Sequence, residues 1–202
     1  MQKIKITFLA LLTAGALNAQ SLDIDFGSTF DSTSFDPIYF ADASGNPFTN
    51  AVITVGYFSD IASQSDFSGY LGDFTQIGSA TSFSGTPGYQ PASASTSLDV
   101  SGESPFVFVL GGISDFANAS TATSYSIFGD SGWGTLPAGA VPPAVANLLT
   151  LTPDNIVVGS FTASGDGGTL SAVSTAAVPE PSAYALLGGL FALTCVMLRR
   201  RA

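Results

Sequence analysis

The chain has 202 residues, with 15 acidic and 5 basic side chains, no histidine and a formal charge of −10. Its basic residues, Lys3, Lys5, Arg199, Arg200 and Arg201, all lie at the two ends. Residues 20–178 therefore hold 14 carboxylates and no cation, a composition that excludes side-chain ion pairs, repels nucleic acid and anionic lipid, and leaves no Ser-His-Asp or Cys-His machinery, no His- or Cys-ligated metal and no Schiff base.

Residues 1–19 open with Lys3 and Lys5, run uncharged from Ile6 to Leu17 and end in small residues. This is the pattern of a secretory signal peptide, which implies the Sec export machinery as a partner. Cleavage is expected after Ala19, which would leave Gln20 first; the Ala14-Gly15-Ala16 run offers an earlier cut. Export would permit disulfides, yet Cys195 near the far end is the sole cysteine, so the exported body must rely on an apolar core.

The body, residues 20–170, reads as short strands separated by Gly, Ser, Asp and Pro turns. Leu22-Asp23-Ile24-Asp25-Phe26 alternates apolar and acidic residues, as a half-buried strand does. Ala51–Phe58, Pro105–Leu110, Ser124–Phe128 and Asn155–Thr162 are rich in β-branched and aromatic residues, and Thr169–Val173 is a weaker candidate. Pro142–Leu151, with its prolines first, predicts a short helix. Ile53–Phe58 (ITVGYF) and Ile156–Phe161 (IVVGSF) share a pattern that predicts two buried strands, each with Gly at a bulge or close approach. Residues 171–178 read as a small-residue linker. The expected fold is all-β, a single antiparallel β-sandwich-like domain.

Carboxylate-only chemistry survives the exclusions, but no spacing among Glu103 and thirteen aspartates selects a glycosidase pair, and no enzymatic activity is expected. Calcium is the ion an all-oxygen body would take. Asp23, Asp25 and Asp31 cluster near the mature N-terminus, and Asp130 and Asp166 lie in Gly-rich turns. None fits the calcium-loop pattern, and capping of local backbone accounts for aspartates in turns. Trp133, the one tryptophan, lies in Gly129-Asp130-Ser131-Gly132-Trp133-Gly134. It is the candidate ligand-binding residue if the body binds carbohydrate, with Tyr57, Tyr70, Tyr89 and Tyr125 as further stacking surfaces. The competing reading is a tryptophan that covers the end of the core.

Residues 179–202 form a tail of three ordered parts: Pro179-Glu180-Pro181, an uncharged run from Ala183 to Leu198, and Arg199-Arg200-Arg201. As a helix the run covers roughly 24 Å, short of the ~30 Å hydrocarbon core, so it suits a temporary anchor. The arginines place the C-terminus on the cytoplasmic side and the body outside. The tail resembles the PEP-CTERM sorting domain of bacterial exported proteins. The resemblance implies recognition by an exosortase-like membrane protease that cuts near Pro179, Glu180 and Pro181, a transient inner-membrane stage, and a cell-surface or exopolysaccharide-associated biofilm matrix role. The expectation for the whole chain is a non-enzymatic surface or matrix protein, with an extracellular carbohydrate-binding module, calcium-assisted or not, as the alternative.

Overall fold

The computed structural model describes residues 20–28, 38–140, 144–148, 155–164 and 167–175. The signal-peptide and sorting-tail segments lie outside these residues. Among the described residues no helix is long and apolar enough to cross a membrane.

The body is mostly β, arranged in several sheets. Its strands are β1 (Leu22–Gly27), β2 (Ile38–Ala41), β3 (Ala51–Phe58), β4 (Phe74–Ser82), β5 (Pro91–Thr96) and β6 (Phe106–Gly111). They continue with β7 (Ser124–Gly129), β8 (Ala144–Asn147), β9 (Asn155–Val158), β10 (Ser160–Ser164), β11 (Gly167–Ser171) and β12 (Val173–Ser174). One short helix, α1 (Phe67–Asp73), precedes β4.

The largest sheet runs β12-β7-β6-β3-β4, with β9 also on β7. β3 sits inside it, antiparallel to β4 on one side and β6 on the other. Because side chains alternate across a strand, this sheet feeds two cores. Ala51, Ile53 and Val55 share a face with Val107, Val109 and Phe128 and pack against Ile24 and Phe26 of β1, Phe40 of β2 and Leu170 of β11. Val52, Phe58, Phe106, Phe108, Leu110 and Ile127 face the other way, onto Tyr70 of α1, Ile113, Ala119 and Ala122. Each large side chain fully buried in this way contributes about 1.5–3 kcal/mol.

Two three-stranded sheets complete the first core. In one, β1 pairs antiparallel with β5 and parallel with β8. In the other, β11 pairs antiparallel with β10 and parallel with β2. The two parallel pairings depart from the wholly antiparallel expectation. Strand β8 also replaces the helix expected over Pro142–Leu151: Ala144–Asn147 lies alongside Leu22–Asp25, and Ala146 is buried in the first core. Tertiary pairing with β1 overrides the local helical pattern there.

The alternation read at residues 22–26 is present, with Leu22, Ile24 and Phe26 buried and Asp23 and Asp25 on the outer face. Strands stand at Ala51–Phe58, Phe106–Gly111 and Ser124–Gly129 as anticipated. The stretch expected as one strand from Asn155 to Thr162 is two, because the chain turns at Gly159. β9 runs along the outer edge of β7, leaves it at Gly159 to make the β10–β11 hairpin, and rejoins the same edge as β12. Ser171, Val173 and Ser174 of the expected linker thus belong to these sheets, and Ala172 is buried between them.

Candidate functional site

Several aspartates of this body hold their own turns. Asp42 Oδ1 accepts from the backbone N–H groups of Ser44 at 2.8 Å and Asn46 at 2.9 Å. These bonds, that of Asn46 foremost, hold its carboxyl below the usual aspartate range. Asp66 caps α1 by accepting from the Gly69 N–H at 2.8 Å. That bond and the Ser68 hydroxyl lower its pKa. Asp99 is lowered in the same direction, chiefly by the Ser101 hydroxyl at 2.7 Å and then by the Ser101 N–H. Asp115 accepts from the Ala117 N–H at 3.0 Å, and Asp73 accepts from the Ser59 hydroxyl and the Asp60 N–H.

This dispersal bears on the metal question. Asp23 and Asp25 share the outer face of β1, where Asp23 accepts from the Ser95 hydroxyl at 2.6 Å across the pair with β5. Asp31 of the acidic cluster expected near the mature N-terminus, and Asp166, lie outside the described residues. No group of three His, Cys, Asp or Glu side chains that could hold a metal ion occurs among the described residues.

The tryptophan turn is the most site-like feature. β7 ends at Gly129, and Asp130 caps a single 3-10 turn over Ser131–Trp133: its Oδ1 accepts from the Gly132 N–H at 2.7 Å, and its carbonyl accepts from the Trp133 N–H at 3.1 Å. The indole turns inward, half-buried against the first core, with its ring 6.3 Å from that of Phe128. A recess of about 470 Å³ opens beside it, lined by Pro105, Phe106, Gly129, Asp130, Thr135 and three Ser or Gly residues. The Trp133 ring is not part of that wall. Asp130 is among the lining residues, although its Oδ2 is shielded from solvent and has no hydrogen-bond partner among the described residues. The ring expected as a stacking surface is thus half-buried against the core. The GDSGWG spelling marked the turn but could not say how far its ring would be drawn inward.

Of the four tyrosines offered as stacking surfaces, Tyr70 and Tyr125 are buried in the second core, ring to ring at 6.2 Å. Burial raises the Tyr125 phenol above its ordinary pKa, with Tyr70 and Asp66 adding to the effect. Tyr57 is half-buried against the first core. Tyr89 meets Tyr39 edge to face at 6.4 Å on the outside of β2, a partner that sequence reading did not name. A second, larger groove of about 630 Å³ runs along β4, walled by Gln76, Ser79, Ser82, Ser114, Asp115 and Phe116 among others. The sorting residues Pro179, Glu180, Pro181, Arg199, Arg200 and Arg201 lie outside the described residues. No family model, no curated protein and no solved structure matches the chain.

Proposed function

We propose that this chain is an exported, non-enzymatic cell-surface or extracellular-matrix protein, with a single sandwich-like β domain carried between a signal peptide and an exosortase-processed sorting tail. One observation carries the reading: the division of charge. All five cations sit in the two targeting-type ends, and the 14 carboxylates of the body stand between them. Most of the described carboxylates with hydrogen bonds spend them on turns and helix starts or across β1, the use a stable, highly soluble surface domain makes of aspartate. The tail would hold the body at the outer side of the inner membrane until a membrane protease cut near Pro179-Glu180-Pro181, and the body would then pass to the surface or matrix.

Intact mass and cell fractionation of the chain made in its own host test this. The expected product starts at Gln20, ends near Val178 and is found outside the inner membrane. A species that keeps Arg201 and stays in the inner membrane would overturn processing and the matrix role together.

A second reading, binding of an extracellular polysaccharide, has the Asp130 recess behind it. Ser104 and Thr135 line it beside Asp130, and their hydroxyls can pair with those of a sugar. Trp133, three residues away, is the reporter: a soluble neutral polysaccharide that enters the recess should shift its fluorescence, and Asp130→Asn should abolish the shift. Emission that polysaccharide leaves unmoved would end this reading.

A further inference from the structure

We propose that β10 is a docking edge for a second copy of this chain, the two copies pairing antiparallel through Ser160–Ser164 about a two-fold axis at Thr162. Among the described residues β10 pairs with β11 alone. Four of its five side chains are exposed, and Phe161 is half-buried. Natural sheets blunt such edges with charge, proline or cover. The margins at β5, β8 and β2 do so here. β5 begins at Pro91 and lies against β4, close enough that a Cβ on Gly78 would come within 2.8 Å of Ala94. β8 is four residues long and follows Pro142-Pro143. The outer side of β2 is taken by the Phe40 N–H bond to Gly88 at 2.7 Å and the Phe48 N–H bond to Phe40 at 3.0 Å. β10, spelled SFTAS, has no charge and no proline.

The backbone settles which groups are free. Along an antiparallel pair, residues alternate between pointing their N–H and C=O at the partner and away from it. The Thr162 carbonyl lies on the β11 side, 2.7 Å from where a Cβ on Gly168 would stand, and the Ser171 carbonyl reaches back toward β10 beside Gly159. Ser160, Thr162 and Ser164 therefore serve β11, while Phe161 and Ala163 turn their donors and acceptors outward. A two-fold axis at Thr162 sets Phe161 of one copy opposite Ala163 of the other, twice. That register joins all four outward groups of each copy in reciprocal bonds.

Side chains fit the same register. Phe161 packs its ring over Gly168, where a Cβ would stand 2.5 Å away, and leans on the first core. Its outer half would be covered opposite the small Ala163, a large residue against a small one. Ser160 would meet Ser164, and Thr162 would meet itself, a hydroxyl pair of the kind that stabilises cross-strand neighbours. The occupant is a second copy because the edge is close to its own complement, as an isologous two-fold contact requires. Repulsion between two acidic bodies opposes the contact, so salt should favour it by screening.

The test uses the full chain with Cys195→Ser. Directly opposed Cα atoms in the non-hydrogen-bonded register stand about 4.5 Å apart, within disulfide reach. Thr162→Cys should therefore cross-link to a covalent dimer on mild oxidation, more completely at high ionic strength, whereas Ser101→Cys at an exposed turn should stay monomeric. Adding Ala163→Pro, which removes an outward donor and leaves the β11 bonds alone, should abolish the cross-link while circular dichroism stays unchanged. Should that variant misfold, Thr162→Asp gives the second readout: by sedimentation the parent chain should be dimeric in high salt and the aspartate variant should have lost that dimer. Equal cross-linking at 162 and 101, a parent chain that is monomeric in high salt, or association that survives Thr162→Asp would each overturn the proposal.

Discussion

Ile53–Phe58 and Ile156–Phe161 spell nearly the same pattern, and the fold treats them in opposite ways. The first is the heart of the largest sheet, held between β4 and β6 and buried on both faces. The second breaks at its glycine into β9, along the edge of β7, and β10, at the outer margin of a different sheet. Local propensity is equal in the two, so what separates them is company. Gly56 keeps an ordinary extended backbone because neighbours on both sides fix it. Gly159, with one neighbour strand before it and another after, takes φ +110 and lets the chain change sheets.

Substituting the two glycines should widen this contrast. A Cβ on Gly56 would overlap the Thr75 carbonyl and the Phe74 ring. Neither can retreat without opening the β3–β4 pair and the second core, so Gly56→Ala is expected to cost about 3 kcal/mol or more. In thermal and urea unfolding the variant should be largely unfolded or melt far below the parent. Gly159→Ala meets a left-handed backbone and the Ser171 carbonyl at 2.6 Å, but at an edge that can shift. About 2 kcal/mol is expected there, with the strain of positive φ as its main source. The comparison fails if Gly159→Ala proves the costlier of the two.

That difference also marks what could be read from the residues. Strands in the middle of the large sheet were legible, because β3 and β6 are nearly continuous apolar runs, the signature of burial on both faces, and β7 carries Tyr125, Ile127 and Phe128. β1 was legible from its alternation with Asp23 and Asp25. The strands that escaped notice are built from small or polar residues. β5 (PASAST) and most of β4 (FTQIGSATS) present exposed faces and carry little hydrophobic pattern. α1 (FSGYLGD) has two glycines and seven residues, and owes its existence to the Asp66 cap and to Tyr70 reaching the second core. The parallel partnership of β8 with β1 was hidden because it joins residues more than a hundred positions apart, and a short apolar run cannot declare its partner. At the candidate site the turn was visible but its orientation was not: how far Trp133 turns inward depends on Phe128, whose ring lies beside the indole.

The smallest expected effect is also the one that tests burial most directly. Thr54 stands where the second segment has Val157. It is fully buried on the face of β3 that looks onto the second core, opposite Phe108 of β6, and its Oγ1 has no hydrogen-bond partner among the described residues. A hydroxyl taken from water without a partner is destabilising by its desolvation, and an apolar group of the same shape removes that cost. Thr54→Val makes the two segments more alike in sequence and should raise stability by about 1 kcal/mol, read as a higher urea midpoint with an unchanged slope. The reverse change, Val157→Thr, falls on a half-buried edge position where the new hydroxyl keeps access to water, and should leave the midpoint nearly unmoved. If Thr54→Val instead lowers the midpoint, the hydroxyl has a partner in solution, and the centre of β3 is a polar contact point within the second core.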